Sequence, residues 1–231
     1  MRASSGVPGF DTLVDGGLPE NRLYVVSGPP GSGKTTFCAQ FAAQGARNGE
    51  DVLYVSMHET RDGIRRDMSG YEFGFDRALD TDRVTFLDSF SSDGRRFFGL
   101  PGERRDHSGV TNRLTGFINS RDIDRVVFDS TMLLRFLLDD DEDTMIQLLS
   151  SLKRTDATTL LISEMTDPNA YSEEHYLAHG VVFMHNYLED DTMQRGVQVL
   201  KMRGTDVDTD IQDIEFTDGG LRVGSAATVT H

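Results

Sequence analysis

The chain has 231 residues and a formal net charge of −15, from 38 acidic and 23 basic side chains. Its length suits one α/β unit with a sizeable core, and no apolar run approaches the roughly 20 residues that span a bilayer. The acidic balance repels nucleic acid from the average surface, and a single cysteine, Cys38, excludes an internal disulfide.

In chain order, Leu23–Val26 reads as a buried strand. It runs into Gly28-Pro29-Pro30-Gly31-Ser32-Gly33-Lys34-Thr35, which fits the phosphate-loop pattern G-x-x-x-x-G-K-[ST] between a strand and a helix. Glycines at such a turn let backbone N–H groups close around phosphate oxygens. Lys34 supplies a mobile positive charge for the β- and γ-phosphates, and the Thr35 hydroxyl can ligate Mg²⁺. The helix expected from about Thr35 through Ala46 aims its positive end at the same anion, and Cys38 within it is expected as a packed thiol. The expected nucleotide contacts are therefore Gly28, Pro30, Gly31, Ser32, Gly33, Lys34, Thr35 and Thr36.

Val52–Met57 reads as a second strand, Thr60 to Met68 as a helix and Val84–Leu87 as a third strand. Arg95-Arg96 and Arg104-Arg105 flank Phe97-Phe98 and Gly99-Leu100-Pro101-Gly102, which is expected as a loop, either plainly solvated or used for binding. Val110–Ser120 is amphipathic, with Val110, Leu114, Phe117 and Ile118 on one face. Val126–Asp129 is a further buried strand. Its last residue stands where a carboxylate can hold water on Mg²⁺, which pairs Asp129 with Thr35 as the expected metal residues. Asp139 to Asp141 precede a helix expected over Thr144–Lys153, where their charge suits the helix dipole. Thr158–Ile162, Val181–His185, Val197–Met202 and Ile211–Phe216 supply the last strands, followed by a turn, a short strand and a frayed end around Ala226-Ala227-Thr228. Thr158–Glu164 carries no guanine-specifying Asn-Lys-x-Asp, so ATP with Mg²⁺ is the expected cofactor pair. The alternation predicts one α/β domain over 1–231, a phosphate-loop fold whose mostly parallel central sheet is flanked by helices and carries an antiparallel C-terminal extension.

Lysine occurs only at Lys34, Lys153 and Lys201. An acidic, lysine-poor, tryptophan-free chain looks adapted to a salt-rich cytoplasm; an acidic surface for basic partners is the competing reading. Met1-Arg2-Ala3-Ser4-Ser5 has no signal-peptide pattern, so a cytoplasmic location without membrane attachment is expected.

The chain resembles the KaiC-like branch of the RecA-type ATPases, as a single domain of halophilic archaeal type. The resemblance rests on Gly6-Val7-Pro8-Gly9-Phe10-Asp11, Gly16-Gly17-Leu18-Pro19, Arg22 and the phosphate loop. His58-Glu59-Thr60, Phe128-Asp129-Ser130 and Thr159-Leu160-Leu161-Ile162-Ser163-Glu164 follow in order, then Glu173-Glu174-His175-Tyr176 leading into Gly180-Val181-Val182, and finally Val199-Leu200-Lys201-Met202-Arg203-Gly204-Thr205. It implies a RecA-like fold and a homo-oligomeric ring, usually a hexamer, with ATP between subunits. Lys201 and Arg203 would then act in trans on the neighbour's γ-phosphate, with Met202 and Thr205 beside the same nucleotide.

One position departs from the family pattern, which ends its second strand with two glutamates, the first being the base that activates water. Here His58 takes that place and Glu59 is the remaining carboxylate. His58 can act as base, Glu59 can take over, or hydrolysis can be lost and the protein be a nucleotide-dependent switch. Lys34 and Asp129 complete the catalytic candidates. Ser163 and Glu164 are candidates for sensing the γ-phosphate, or ordinary strand-end polar residues.

The expected role is a ring-forming regulatory or signalling ATPase with an unidentified protein partner; no hydroxyl is singled out as an autophosphorylation acceptor. A non-hydrolysing scaffold is the first alternative and a DNA recombination accessory the second. Against DNA, Met132–Asp143 is strongly acidic and Met165–Tyr171 has no basic residue.

Overall fold

A computed structural model describes residues 1–99, 107–131, 134–135, 138, 141–189 and 191–224. The first half runs β1 (Arg2–Ala3), α1 (Phe10–Leu13), β2 (Leu18–Pro19), β3 (Leu23–Gly28), α2 (Lys34–Arg47), β4 (Val52–Ser56), α3 (Arg61–Met68), α4 (Phe75–Ala78), β5 (Val84–Asp88), α5 (Ser92–Phe98) and α6 (His107–Ser120). The second half runs β6 (Arg125–Asp129), α7 (Glu142–Leu152), β7 (Thr158–Glu164), α8 (Glu173–Leu177), β8 (Gly180–Glu189), β9 (Thr192–Met202), β10 (Gln212–Thr217) and β11 (Gly220–Val223).

Nine strands form one sheet in the order β11-β10-β9-β8-β3-β7-β6-β4-β5. From β8 to β5 every pairing is parallel, and β9 to β11 add antiparallel strands at the other edge. This is the predicted class. The central strands read as unbroken apolar runs because both of their faces are covered. Side chains alternate between faces, so Tyr24, Val26, Tyr54 and Val127 pack against α2, while Leu23, Val25, Leu53 and Val126 pack against α6 and α7. The amphipathic stripe of α6 places Val110, Leu114 and Ile118 in the second of these cores.

Several local expectations change. The Arg95-Arg96 segment is not a loop but the helix α5, started by the Ser91 hydroxyl accepting from Gly94 N–H, with Phe98 buried beneath it. A cap and one buried aromatic suffice to wind a short arginine-rich segment once it has a core to lie on. Arg104-Arg105, Asp139 and Ala226–Thr228 lie outside the described residues. Thr60 caps α3 rather than joining it, and Asp141 caps α7, whose first turn holds Glu142 and Asp143. Strand β8 and strand β9 extend beyond the expected segments as a long hairpin.

The sequence pattern missed a buried cation. Arg125, 1% exposed, opens β6 and pairs with Glu50 through two nitrogens. It also donates to Ser4 O at 2.8 Å and Phe41 O at 2.9 Å, with its guanidinium 4.4 Å from the Phe41 ring centre. A methyl group at Gly45 would collide with this side chain, which explains a glycine inside α2. Arg125→Ala leaves these acceptors unpaired and a cavity behind, so it is expected to lower unfolding free energy by about 3 kcal/mol. Urea denaturation checks this; a loss under about 1 kcal/mol would contradict the role.

Candidate functional site

The parallel strands all point their C-terminal ends at one edge, where ligands collect in open α/β sheets. Strand β3 ends there at Gly28, β4 just before His58, β6 at Asp129 and β7 at Glu164. Gly28, Gly31 and Gly33 have φ of 149°, 78° and 103°, a region that side chains disfavour. A Cβ on Gly28 would also strike the Met184 carbonyl. Both requirements keep the loop as a tight turn whose last residue, Gly33, opens α2.

A cleft of about 630 Å³ lies over this edge. Of the expected contacts, Pro30, Gly31, Gly33, Lys34, Thr35 and Thr36 line it, together with His58 and Asp129. Lys34 is almost wholly buried, and its ammonium donates to Gly28 O at 2.8 Å and Pro29 O at 2.9 Å while facing a Glu164 carboxylate oxygen at 3.2 Å. Ser32 is buried and its hydroxyl has no hydrogen-bond partner among the described residues.

Asp129 is buried at the end of β6 and accepts from the Tyr54 hydroxyl at 3.2 Å. Its other oxygen, Oδ1, lacks a hydrogen bond among the described residues and faces His58 Nδ1 at 3.6 Å. Burial pushes the Asp129 carboxyl above the usual carboxylate range, against the opposing pull of His58, Thr35, Tyr54 and Lys34. Burial, with Asp129 nearby, also raises the Tyr54 hydroxyl and the Cys38 thiol, which keeps Cys38 a packed, protonated core residue.

An orphaned buried carboxylate oxygen and an orphaned buried serine hydroxyl, set around a lysine held only by carbonyls and a carboxylate, fit a magnesium–nucleotide. Thr35 and Asp129 are the residues that could hold the metal. Among the described residues no group of three or more His, Cys, Asp or Glu side chains forms a metal cage, and Mg²⁺ in phosphate sites characteristically takes one or two protein ligands plus phosphate oxygens.

Glu59 is not brought to the cleft. Its N–H donates to Ser56 Oγ at 3.0 Å, and its carboxylate lies over Gly63 in the first turn of α3. His58, by contrast, lines the cleft with 44% of its side chain exposed.

Lys201, Met202, Arg203 and Thr205 lie at the other end of the sheet. Met202 pairs with Gly180, which pairs with Tyr24 at the start of β3. At roughly 3.3 Å per residue, Tyr24 stands about 13 Å from Gly28 along the strand. These residues therefore do not meet their own phosphate loop.

Three cleft residues escaped the sequence reading. Arg195 on β9 donates to Gly31 O at 3.1 Å and stacks its guanidinium 5.1 Å from the Phe216 ring centre. Phe216 on β10 and Tyr71 after α3 complete the rim. An arginine and an aromatic in or beside the expected late strands were the available signals; only the sheet order shows that they face the loop.

Comparison with known proteins agrees with this architecture. The profile of the family described as "ATPase: KaiC" matches residues 3–228. The circadian clock protein KaiC3 of Synechocystis sp. is 29% identical over 212 residues, covering 89% of this chain and 42% of that protein. This chain thus spans about two-fifths of that longer relative. The UPF0273 protein MK0039 of Methanopyrus kandleri is 26% identical and is matched over 91% of its own length. The crystal structure of the KaiC-like protein PH0186 from Pyrococcus horikoshii superposes with a TM-score of 0.82 at 26% identity, covering 97% of this chain and 99% of that one.

Proposed function

This chain belongs to the KaiC family of ATPases, and on that premise we propose that it binds ATP·Mg²⁺ between the subunits of a homo-oligomeric, hexameric ring and acts as a regulatory ATPase in the cytoplasm. The observation that carries the reading is the division of charge across the sheet. Lys34, Thr35 and Asp129 gather at one end, whereas Lys201 and Arg203 stand at the end their own nucleotide cannot reach. A second copy placed head to tail brings the two halves together, and a head-to-tail contact repeated with a rotation that closes gives a ring.

In that arrangement Lys34 turns from its carbonyls and Glu164 to the phosphates, and Ser32 gains the partner it lacks. Thr35 and Asp129 would hold the metal, and Tyr71, Phe216 and Arg195 would offer flat faces to the base. Bound magnesium supplies charge neutralisation for the phosphates. Because His58 Nδ1 faces Asp129, Nε2 is the atom free to take a proton from water.

A second reading, an ATP-dependent switch without brisk turnover, is favoured by the half-exposed His58 and by Glu59 lying on α3. Phosphate release by the wild type, His58→Ala and Glu59→Gln separates the two. Loss of a general base costs about 10²- to 10⁴-fold, so His58→Ala is expected to fall by at least about 100-fold and Glu59→Gln by less than about threefold. The reverse order assigns the base to Glu59. A wild type no faster than Lys34→Ala removes the turnover reading and leaves the switch.

A further inference from the structure

We propose that α8 links a chain's own phosphate loop to the cations it offers to the next chain, so that the arrival of a γ-phosphate in one site frees Lys201 and Arg203 for the neighbouring one. The proposal rests on the composite-site reading above and adds a route by which the sites communicate.

Three consecutive residues carry it. Glu174 and His175 are both 2% exposed, and each bonds a serine on a strand that ends at the cleft, Ser163 on β7 and Ser27 on β3. Ser163 Oγ, next to Glu164 at the end of β7, donates to Glu174 Oε1 at 2.9 Å. His175 Nδ1 accepts from Ser172 N–H at 3.1 Å, which assigns the proton to Nε2; that nitrogen donates to Ser27 Oγ at 2.7 Å, one residue before Gly28. On its other side the same helix holds the distant cations. Lys201 donates to His175 O at 2.9 Å and Tyr176 O at 3.1 Å, and Arg203 donates to Tyr176 O at 3.2 Å.

Cations on the last carbonyls of a helix are ordinary stabilising contacts. That role does not explain why the residues supplying those carbonyls are also tied to Ser27 and Ser163. The trigger is the Lys34–Glu164 pair. A γ-phosphate competes for the same ammonium and repels the Glu164 carboxylate, so Glu164 must leave. Ser163, its neighbour on β7, carries the displacement to Glu174. Helix α8 spans five residues and shifts as one piece, loosening its carbonyls from Lys201 and Arg203. Arg135, paired with both Glu173 and Glu174, ties the same helix to the segment after β6.

The test is sedimentation of the full chain with ADP·Mg²⁺ and with a non-hydrolysable ATP analogue. The wild type is expected to assemble about tenfold more tightly with the analogue, within the usual span of site-to-site coupling. Glu164→Gln, which releases Lys34 without a γ-phosphate, brings the ADP form to within about threefold of the analogue form. Ser163→Ala erases the difference by cutting the link, and Ser163→Thr, which keeps the hydroxyl, restores it. Equal wild-type assembly with both nucleotides overturns the relay, as does full discrimination in both Glu164→Gln and Ser163→Ala. Arg203→Ala tells the two failures apart. If it assembles like the wild type, or if the wild type stays a single chain with either nucleotide, the composite-site reading has failed and the relay with it. If Arg203→Ala weakens assembly while the relay variants behave as wild type, only the relay has failed.

Discussion

Lys34→Ala is expected to weaken ATP·Mg²⁺ binding by about a thousandfold, since one unit charge acting on another at about 4 Å through an effective dielectric near 20 is worth about 4 kcal/mol. The large effect follows from placement. Lys34 is 6% exposed, and its ammonium sits among two carbonyls and a carboxylate, all of them acceptors. Among the described residues no other cation lies so deep in the cleft; Arg195, the nearest substitute in its lining, is on the rim. The fold is expected to survive, because the glycine turn sets the backbone path of the loop, with some loss of stability from the Gly28 and Pro29 carbonyls left unpaired. Titration calorimetry beside a thermal melt measures both quantities. Binding within about tenfold of the wild type would show that the phosphates lie elsewhere.

Arg203→Ala is expected to cut phosphate release by about 10³-fold, the lower end of what a charge-stabilising arginine supplied by a neighbour contributes. Its side chain is exposed and bonds one carbonyl, Tyr176 O, so stability is expected to stay within about 0.5 kcal/mol. Lys201→Ala is expected to have a smaller effect, because a lysine is a point charge without the planar fork that grips a phosphate. The pair is held from behind by Arg22, which donates to Arg203 O at 2.6 Å. Unchanged turnover in Arg203→Ala, measured where rings are present, would remove the trans role.

Much of the frame was legible in the residues. Strands β3, β4, β6 and β7 are buried on both faces, so they stand out as short apolar runs between turn residues. The phosphate loop was legible for a different reason, since its spacing answers to backbone geometry and its glycines take the positive φ that geometry demands. What stayed hidden depends on long-range placement. Lys34 and Glu164 are 130 residues apart and meet only because β7 lies beside β3. Arg125 immediately precedes the apolar run Val126–Phe128, and nothing local reveals that Glu50, Ser4 and Phe41 surround it. The choice between His58 and Glu59 could not be made from adjacency, because consecutive residues leaving a strand point in different directions. The structure sets one at the cleft and the other on α3. Helix α5 was misread because charge dominated its pattern and a single buried Phe98 anchors it.

The most direct test of a nucleotide site shared between two chains is subunit mixing. A Lys34→Ala chain lacks a working loop but still carries Lys201 and Arg203; losing the partner of Glu164 leaves those cations free to act. A Lys201→Ala, Arg203→Ala chain keeps its loop and offers nothing to its neighbour. Each alone should release almost no phosphate from ATP·Mg²⁺. Mixed one to one, dissociated and reassembled, they are expected to regain about a quarter of the wild-type phosphate release per chain, since half the chains own a loop and half of their neighbours own the cations. A mixture that releases no more than the two parents would contradict the shared site.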